Sequence, residues 1–476
     1  MPTTNLAKQT GIYTIGEIAP RIISFFLLPI YTNYLSPSDY GIINYTNSIV
    51  VFLYVLGALS LNSYVLRFYY GIKKEKEKKE LIGNIYLFIG FINFLILAIA
   101  WLIVPLIIEK YNVKIPWKPY FQLALINNFL DGFSIIPLVF YRVKQKAKIF
   151  VKLSLGRALL QFLFTFFLIV VLKKGIIGNY LGKFFSVFIY VFIYWIVIKK
   201  EAILNINIKQ IKEGLKFSLP LIPGALAFLI LNISDRIILE RYVSLFDIGI
   251  YSVAYTLAFA LNMIIQSGYK AIEPEFYKRF QQPGFFHFAK KIQSNFLFMI
   301  FTLAMFLTLF SQEIFKIMTS DDYFRGYLLV PVIIIGALMS GQNIIFQTIL
   351  TAEKKTKIVG FTSLIGAGIN LTVNLLLIPL WGIYAAAISS SISYCFMNIY
   401  SFSRMDFPNK SLKSEIIALI LFIAITISIF FGFNVQLSVS IFLLKIAICF
   451  AYTFIIAKIF HIDWSFIKNE IQHKKY

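Results

Sequence analysis

The feature that most limits what this chain can become is a succession of apolar runs, each near the 20 or so residues needed to cross a bilayer as an α-helix. They lie near residues 9–34, 40–66, 82–108, 119–141, 150–172, 176–198, 214–235, 246–270, 292–312, 326–350, 358–380, 383–403, 415–433 and 437–457. A hydrocarbon interior admits only helices and closed barrels, because backbone groups find no water there, and runs of this length fit helices. The chain therefore reads as an all-α polytopic membrane protein with about 14 transmembrane helices. With 59% apolar and 14% charged residues, it has too little polar surface for a soluble domain of its size. The first run is too long for the apolar core of a secretory leader and lacks a small-residue cleavage pattern, so it counts as a membrane helix. Cys395 and Cys449 fall in apolar spans and the three histidines are scattered, which leaves no metal site legible. The longest connection, about 273–291, reads as a loop.

The chain also repeats itself. Tyr34-Leu-Ser36-Pro-Ser-Asp39-Tyr-Gly41-Ile42 returns as Tyr242-Val-Ser244-Leu-Phe-Asp247-Ile-Gly249-Ile250, five of nine positions identical at an offset of 208. Lys146-Ala-Lys148-Ile149 returns as Lys355-Thr-Lys357-Ile358 at 209, and Gly175-Ile176 as Gly382-Ile383 at 207. Near-constant offsets at three places mark an internal duplication. Each half holds six spans, an even number, so both enter the membrane from the same side. The expected architecture is two six-helix bundles, residues 1–208 and 209–405, related by a pseudo-twofold along the membrane normal. Residues 406–476 add two helices without a counterpart and a tail.

Basic residues set the orientation. The termini and the loops after even-numbered spans carry 32 Lys and Arg against 9 in the opposite loops, which places both termini in the cytoplasm. The net charge of +23 is mostly this bias, including the run Lys73-Lys-Glu-Lys-Glu-Lys-Lys-Glu80, and gives no argument for a nucleic-acid partner.

Four stretches carry a family likeness: Leu-Ser36-Pro-Ser-Asp39-Tyr-Gly41 after span 1, Ser218-Leu-Pro220-Leu-Ile-Pro223-Gly224 opening span 7, Ser234-Asp235-Arg236 closing it, and Gly249-Ile-Tyr251-Ser-Val-Ala-Tyr255 opening span 8. Over about residues 5–405 the chain resembles the polysaccharide-flippase (Wzx-type) branch of the multidrug/oligosaccharidyl-lipid/polysaccharide exporter superfamily. The resemblance implies a non-enzymatic flippase of the bacterial inner membrane. Its cargo would be an undecaprenyl-diphosphate-linked oligosaccharide, such as an O-antigen of lipopolysaccharide or a capsule unit, moved to the outer leaflet by alternating access. It also implies the polymerase and chain-length proteins of such a pathway as partners. By the same resemblance, spans 13 and 14 would shelter the polyprenyl tail, with Lys445 turned toward the first twelve helices.

Such cargo needs a site for a diphosphate and sugars. Away from the span ends, the cations inside spans are Arg21, Arg157, Lys183 and Lys445, and the acids of the first bundle are Glu17 and Asp131; embedded ionisable groups are functional candidates by default. Polar stripes accompany them: Tyr13, Glu17, Arg21 and Ser24; Asn127, Asp131 and Ser134; Ser154, Arg157, Gln161 and Thr165; Asn179, Lys183, Ser186, Tyr190 and Tyr194. One reading is structural, with Glu17 paired to Arg21 and Asp131 to Arg157. The other is a cationic ladder of Arg21, Arg157 and Lys183, with Gln161 and Asn179 beside it, receiving the diphosphate. Glu17 and Asp131 are the candidates for binding H⁺ or Na⁺; no other cofactor is implied.

The second bundle has uncharged stripes: Tyr251, Tyr255, Asn262 and Gln266; Ser340, Asn343 and Gln347; Asn370 and Asn374; Ser390 and Tyr394. Amides on membrane helices serve either as glue between helices or as a sugar-binding wall. Asp235 and Arg236 fall at the expected outer end of span 7 and read as an anchor or a gating pair, while Pro20, Pro220 and Pro223 interrupt the first span of each repeat. Two other classes share parts of this pattern. A cation-coupled drug antiporter of the same fold would have a carboxylate-dominated cavity, and a membrane-embedded glycan polymerase would need a sizeable external loop.

Overall fold

The computed structural model describes residues 3–280, 282–406, 411–432 and 438–462. The helices are α1 (Thr3–Phe26), α2 (Leu28–Tyr34), α3 (Pro37–Ala58), α4 (Leu61–Phe68), α5 (Glu75–Tyr111), α6 (Gln122–Gly132), α7 (Ile135–Val143), α8 (Ala147–Phe166) and α9 (Gly175–Glu201). They continue with α10 (Ile208–Ser218), α11 (Ile222–Tyr242), α12 (Leu245–Arg279), α13 (Phe285–Leu309), α14 (Ser311–Met318), α15 (Val330–Ala352), α16 (Thr356–Trp381), α17 (Ile383–Arg404), α18 (Lys413–Gly432) and α19 (Val439–Ile459). Among the described residues 13 helical spans are long and apolar enough to cross a membrane. The remaining expected span is α17, whose 22 residues have the length. Its serines 389, 390, 391 and 393 and its Asn398 dilute the apolar character, and the Asn398 amide donates to the Met339 carbonyl at 2.9 Å.

The chain forms two compact units. The first comprises Met1–Ser252, Met318–Tyr323 and Leu371–Ala386. Here α1 lies along α8, α8 along α9, and α3 packs against both α6 and α11. Span 7 is not one continuous helix: a short 3₁₀ turn, Leu219–Leu221, containing Pro220, joins α10 to α11. The second unit comprises Val253–Ile317, Phe324–Asn370 and Ala387–Tyr476, and within it α13 packs against α15, α18 and α19.

The expected loop at 273–291 is mostly helix. α12 continues to Arg279 and α13 begins at Phe285, because aromatic packing closes the turn: Phe276 is buried, and the Phe285 ring lies 6.0 Å from that of Phe276 and 5.0 Å from that of Phe280. The polar turn at Gln282-Pro-Gly disguises an apolar hinge.

Each repeated motif has the same physical role in both halves. Ser36 accepts the Asp39 amide at 3.2 Å and Asp39 accepts the Ser36 amide at 3.0 Å, a capping box that starts α3. Ser244 accepts the Asp247 amide at 3.1 Å and donates its hydroxyl to the Asp247 carboxylate at 2.6 Å. The lysine motif is a helix-ending turn. Gln145 and Lys354 both have positive φ, 53° and 61°, followed by Lys146 N–H to Tyr141 O at 3.0 Å and Lys355 N–H to Leu350 O at 2.8 Å. Gly175 and Gly382 share φ near 54° and 53°, the left-handed region where glycine carries no steric cost. At Lys355, partial burial opposes the charge, but hydrogen bonds to Asp406 and Glu353 outweigh it and raise the ammonium pKa.

The glycines of the first motif touch reciprocally. A Cβ on Gly41 would overlap the carbonyl oxygen of Leu245, and a Cβ on Gly249 would overlap that of Pro37. Gly41 and Gly249, like Pro37 and Leu245, stand 208 apart, so the contact maps onto itself under a local twofold. The pattern extends to the helix ends. The Tyr323 hydroxyl donates to the Leu35 carbonyl at 3.0 Å, and the Lys114 ammonium donates to the Val243 carbonyl at 2.7 Å. Likewise Thr32 donates to Met318 O at 3.1 Å, and the Lys114 amide donates to the Glu240 carboxylate at 2.7 Å. The end of the first span and the end of the seventh are each tied to a residue from the segment before the tenth or the fourth.

Gly249→Leu is expected to cost about 1–3 kcal/mol by overpacking, seen as a lower Tm of the detergent-purified protein. Gly224→Leu, where a Cβ would meet nothing within 4 Å, is the control and should leave Tm unchanged.

Candidate functional site

Three helices of the first unit bring one acid and two cations together. Asp131 on α6 takes the Arg157 guanidinium of α8 on one carboxylate oxygen and the Lys183 ammonium of α9 on the other, the latter at 3.3 Å. The side chains of Asp131, Arg157 and Lys183 are 14%, 19% and 27% exposed. Their register is fixed one turn away on α6, where the Asn127 amide donates to the Tyr180 carbonyl of α9 at 3.0 Å and sets Asp131 level with Lys183. On the other flank Ser186 donates to the Arg157 carbonyl at 3.0 Å, which ties α9 to α8. One carboxylate shared by two cations leaves a net positive charge at the cluster.

Beside it lies a cavity of about 300 Å³. α9 supplies Asn179, Tyr180 and Lys183, α8 supplies Gln161, and α6 supplies Ala124 and Asn127. Tyr31 of α2 and a stripe of α3, including Tyr40, Asn44 and Asn47, complete the wall. The Tyr180 hydroxyl is bonded to Thr46 at 2.5 Å, and Asn179 donates to the Tyr31 hydroxyl at 2.9 Å.

The structure thus brings Arg157, Lys183, Asp131, Gln161 and Asn179 into one neighbourhood. Glu17 does not pair with Arg21 as the one-turn spacing suggests. It takes the Arg142 guanidinium at 2.7 Å, because Arg142, at the last turn of α7, lies over the Phe150 ring of α8 at 5.2 Å, and α8 is the helix against which α1 packs. Arg21 is exposed and makes no ion pair among the described residues, so the expected three-rung ladder has two rungs around one acid. Tyr31, Tyr40, Asn44 and Asn47 carry no charge and escape the sequence reading. The spacing 40, 44, 47 on one helix is nonetheless a polar-stripe signal that identifies three of them.

Asp235 and Arg236 do not lie at a helix end. α11 runs on to Tyr242, and the two are 4% and 6% exposed. Arg236 pairs with Asp235 at 3.0 Å and stands 5.4 Å over the Tyr251 ring, while the Tyr251 hydroxyl donates to Asp235. Lys445 of α19 is 3% exposed and bonds Glu313 of α14 at 2.7 Å. Amides of the second unit engage one another and nearby hydroxyls: Ser340 with Asn262 at 3.1 Å, Asn343 with Asn398 at 3.0 Å, Gln347 with Asn343 at 2.7 Å, and Asn370 with Ser389 at 3.3 Å. Three of these contacts join different helices as glue, while the Gln347–Asn343 bond lies within α15.

A family model described as polysaccharide biosynthesis protein matches residues 6–278, more than half of the chain. The chain belongs to the polysaccharide biosynthesis protein family. A protein of the Lsg locus of Haemophilus influenzae is 22% identical to this family member over 284 residues, 58% of this chain and 67% of its own. Among solved structures, the lipid II flippase MurJ in an inward closed conformation superposes with a TM-score of 0.72 at 17% identity, covering 94% of this chain and 98% of MurJ. An inward-facing multidrug resistance MATE transporter of the MOP superfamily gives 0.61 at 12% identity, over 82% and 98%. The Vibrio cholerae MATE transporter VcmN in its bent form gives 0.56 at 14%, over 84% and 95%. At these identities the likeness establishes a shared fold, that of a multi-pass membrane protein.

Asp131→Asn would leave two cations facing each other, whereas Arg157→Ala leaves Asp131 paired with Lys183. Removing one partner of a buried pair costs about 3–5 kcal/mol, so Asp131→Asn is expected to lower membrane-fraction abundance and detergent Tm more than Arg157→Ala does.

Proposed function

We propose that the protein is a flippase that carries a polyprenyl-diphosphate-linked oligosaccharide from the cytoplasmic to the outer leaflet of a bacterial inner membrane. The observation that carries this reading is the cluster in which Arg157 and Lys183 share one carboxylate. Family membership supports a role in polysaccharide assembly, and the fold shared with a lipid II flippase supports a lipid-linked cargo.

A diphosphate in a bilayer must bring its charge into a medium that solvates it poorly. Arg157 offers it a planar fork and Lys183 a point charge, both already drawn out of water by Asp131. The anion exchanges one set of charge-assisted bonds for another, so the cations are never left bare. With both termini cytoplasmic by the basic-residue bias, the Ala147 end of α8 faces the cytoplasm, and cargo entering there meets Arg157 before Gln161. Alternating access would then expose the cluster to the other leaflet.

A cation-coupled antiporter would need an embedded carboxylate available to H⁺ or Na⁺. Here Asp131 is shared by two cations and Glu17 is paired with Arg142, which favours anionic cargo.

Arg157→Ala is expected to reduce surface glycan about tenfold, the effect of losing roughly 1.4 kcal/mol of binding, after correction for abundance in the membrane fraction. Arg157→Lys should be intermediate, because charge survives without the fork. Lys183→Ala should be milder, and Lys78→Ala, whose partner Glu75 is solvent-exposed, should have no effect. Undiminished glycan in both Arg157→Ala and Lys183→Ala would overturn the assignment of cargo binding to this cluster.

A further inference from the structure

Resting on the flippase reading, we propose that the cavity of the first unit seats a single pyranose ring, the sugar joined directly to the diphosphate of the cargo. Lys183 belongs to both the charge cluster and the cavity wall. Gln161 and Asn179 stand four residues from Arg157 and Lys183 on the same two helices, one turn along each. A diphosphate held by the two cations therefore places its first sugar against these amides.

The lining suits a sugar. Carboxamides donate and accept at once, as ring hydroxyls do, and Asn47, Asn127, Gln161 and Asn179 all line this cavity. Tyr31 and Tyr40, whose rings lie 5.7 Å apart, add apolar surface to the wall. At about 300 Å³ the cavity is near the lower limit of small-molecule pockets, roughly 300–1,000 Å³, which accommodates one ring and not an oligosaccharide.

The hydrogen bonds point the same way independently. Asn127 is 1% exposed; its amide nitrogen is committed to the Tyr180 carbonyl, yet its carbonyl oxygen has no partner among the described residues. Buried polar groups are ordinarily paired, and in the second unit Asn343 meets both Asn398 and Gln347. Asn127 itself lines the wall that Lys183 shares. An unpaired carbonyl calls for a donor, which a sugar hydroxyl provides and a phosphate oxygen does not.

The test measures Kd for the purified full-length chain in detergent by native mass spectrometry. The probes are undecaprenyl diphosphate and the same lipid bearing one glucose, galactose or N-acetylglucosamine. At least one sugar-bearing lipid is expected to bind about tenfold tighter than the bare lipid. Gln161→Leu and Asn47→Leu should each bring that ratio close to one. Arg157→Ala should weaken both lipids alike. Loss of the ratio in either leucine variant supports the sugar subsite. A ratio of one in the wild type, or a ratio that survives in both variants, overturns it and leaves the flippase reading standing. If neither lipid binds the wild type, both readings fall.

Discussion

A carboxylate buried among membrane helices is tolerable only if its surroundings replace the water it has lost, and a single counter-ion rarely does so. Asp131 solves this with two cations from two different helices, and that choice dictates much around it. α6, α8 and α9 must stay in register at this depth, which is why Asn127 and Ser186 reach across to backbone carbonyls on neighbouring helices. The same choice leaves surplus positive charge in a place where charge is costly.

The two units treat polar groups differently. In the second, Asn343 answers Asn398 and Gln347, and α19 is held by the ion pair between Lys445 and Glu313. In the first, the charged cluster borders a cavity lined by amides. The duplicated halves thus share a backbone plan but not an interior.

That backbone plan is readable from the chain. Apolar runs of bilayer length mark the spans, and the recurrence of Ser-x-x-Asp-x-Gly is a helix cap followed by a packing glycine. Pairing of embedded charges is only partly readable. Asp131 and Arg157 stand out from their stripes, but the partner of Glu17 is 125 residues away, and one-turn spacing on a single helix cannot reveal it. Arg142 itself looks like a loop residue, since the apolar run ends just before it. Asp235 and Arg236 mislead for a related reason: hydropathy falls where charges begin, whereas α11 continues because Asp235, Arg236 and Tyr251 satisfy one another. The 273–291 segment shows the converse, a polar stretch kept helical by three phenylalanines.

The glycine contact has a consequence for how such a chain diverges. Two separate half-length subunits joined through it would present the same glycine twice, so any side chain added there would strike both faces of the interface in one step. Once the halves are covalently fused, Gly41 and Gly249 are different genetic positions. Each can be tested alone, with half the damage. The same asymmetry frees every other pair of equivalent sites, so that one half can gather acid, arginine and lysine beside a cavity while its twin carries amides that bond one another across helices.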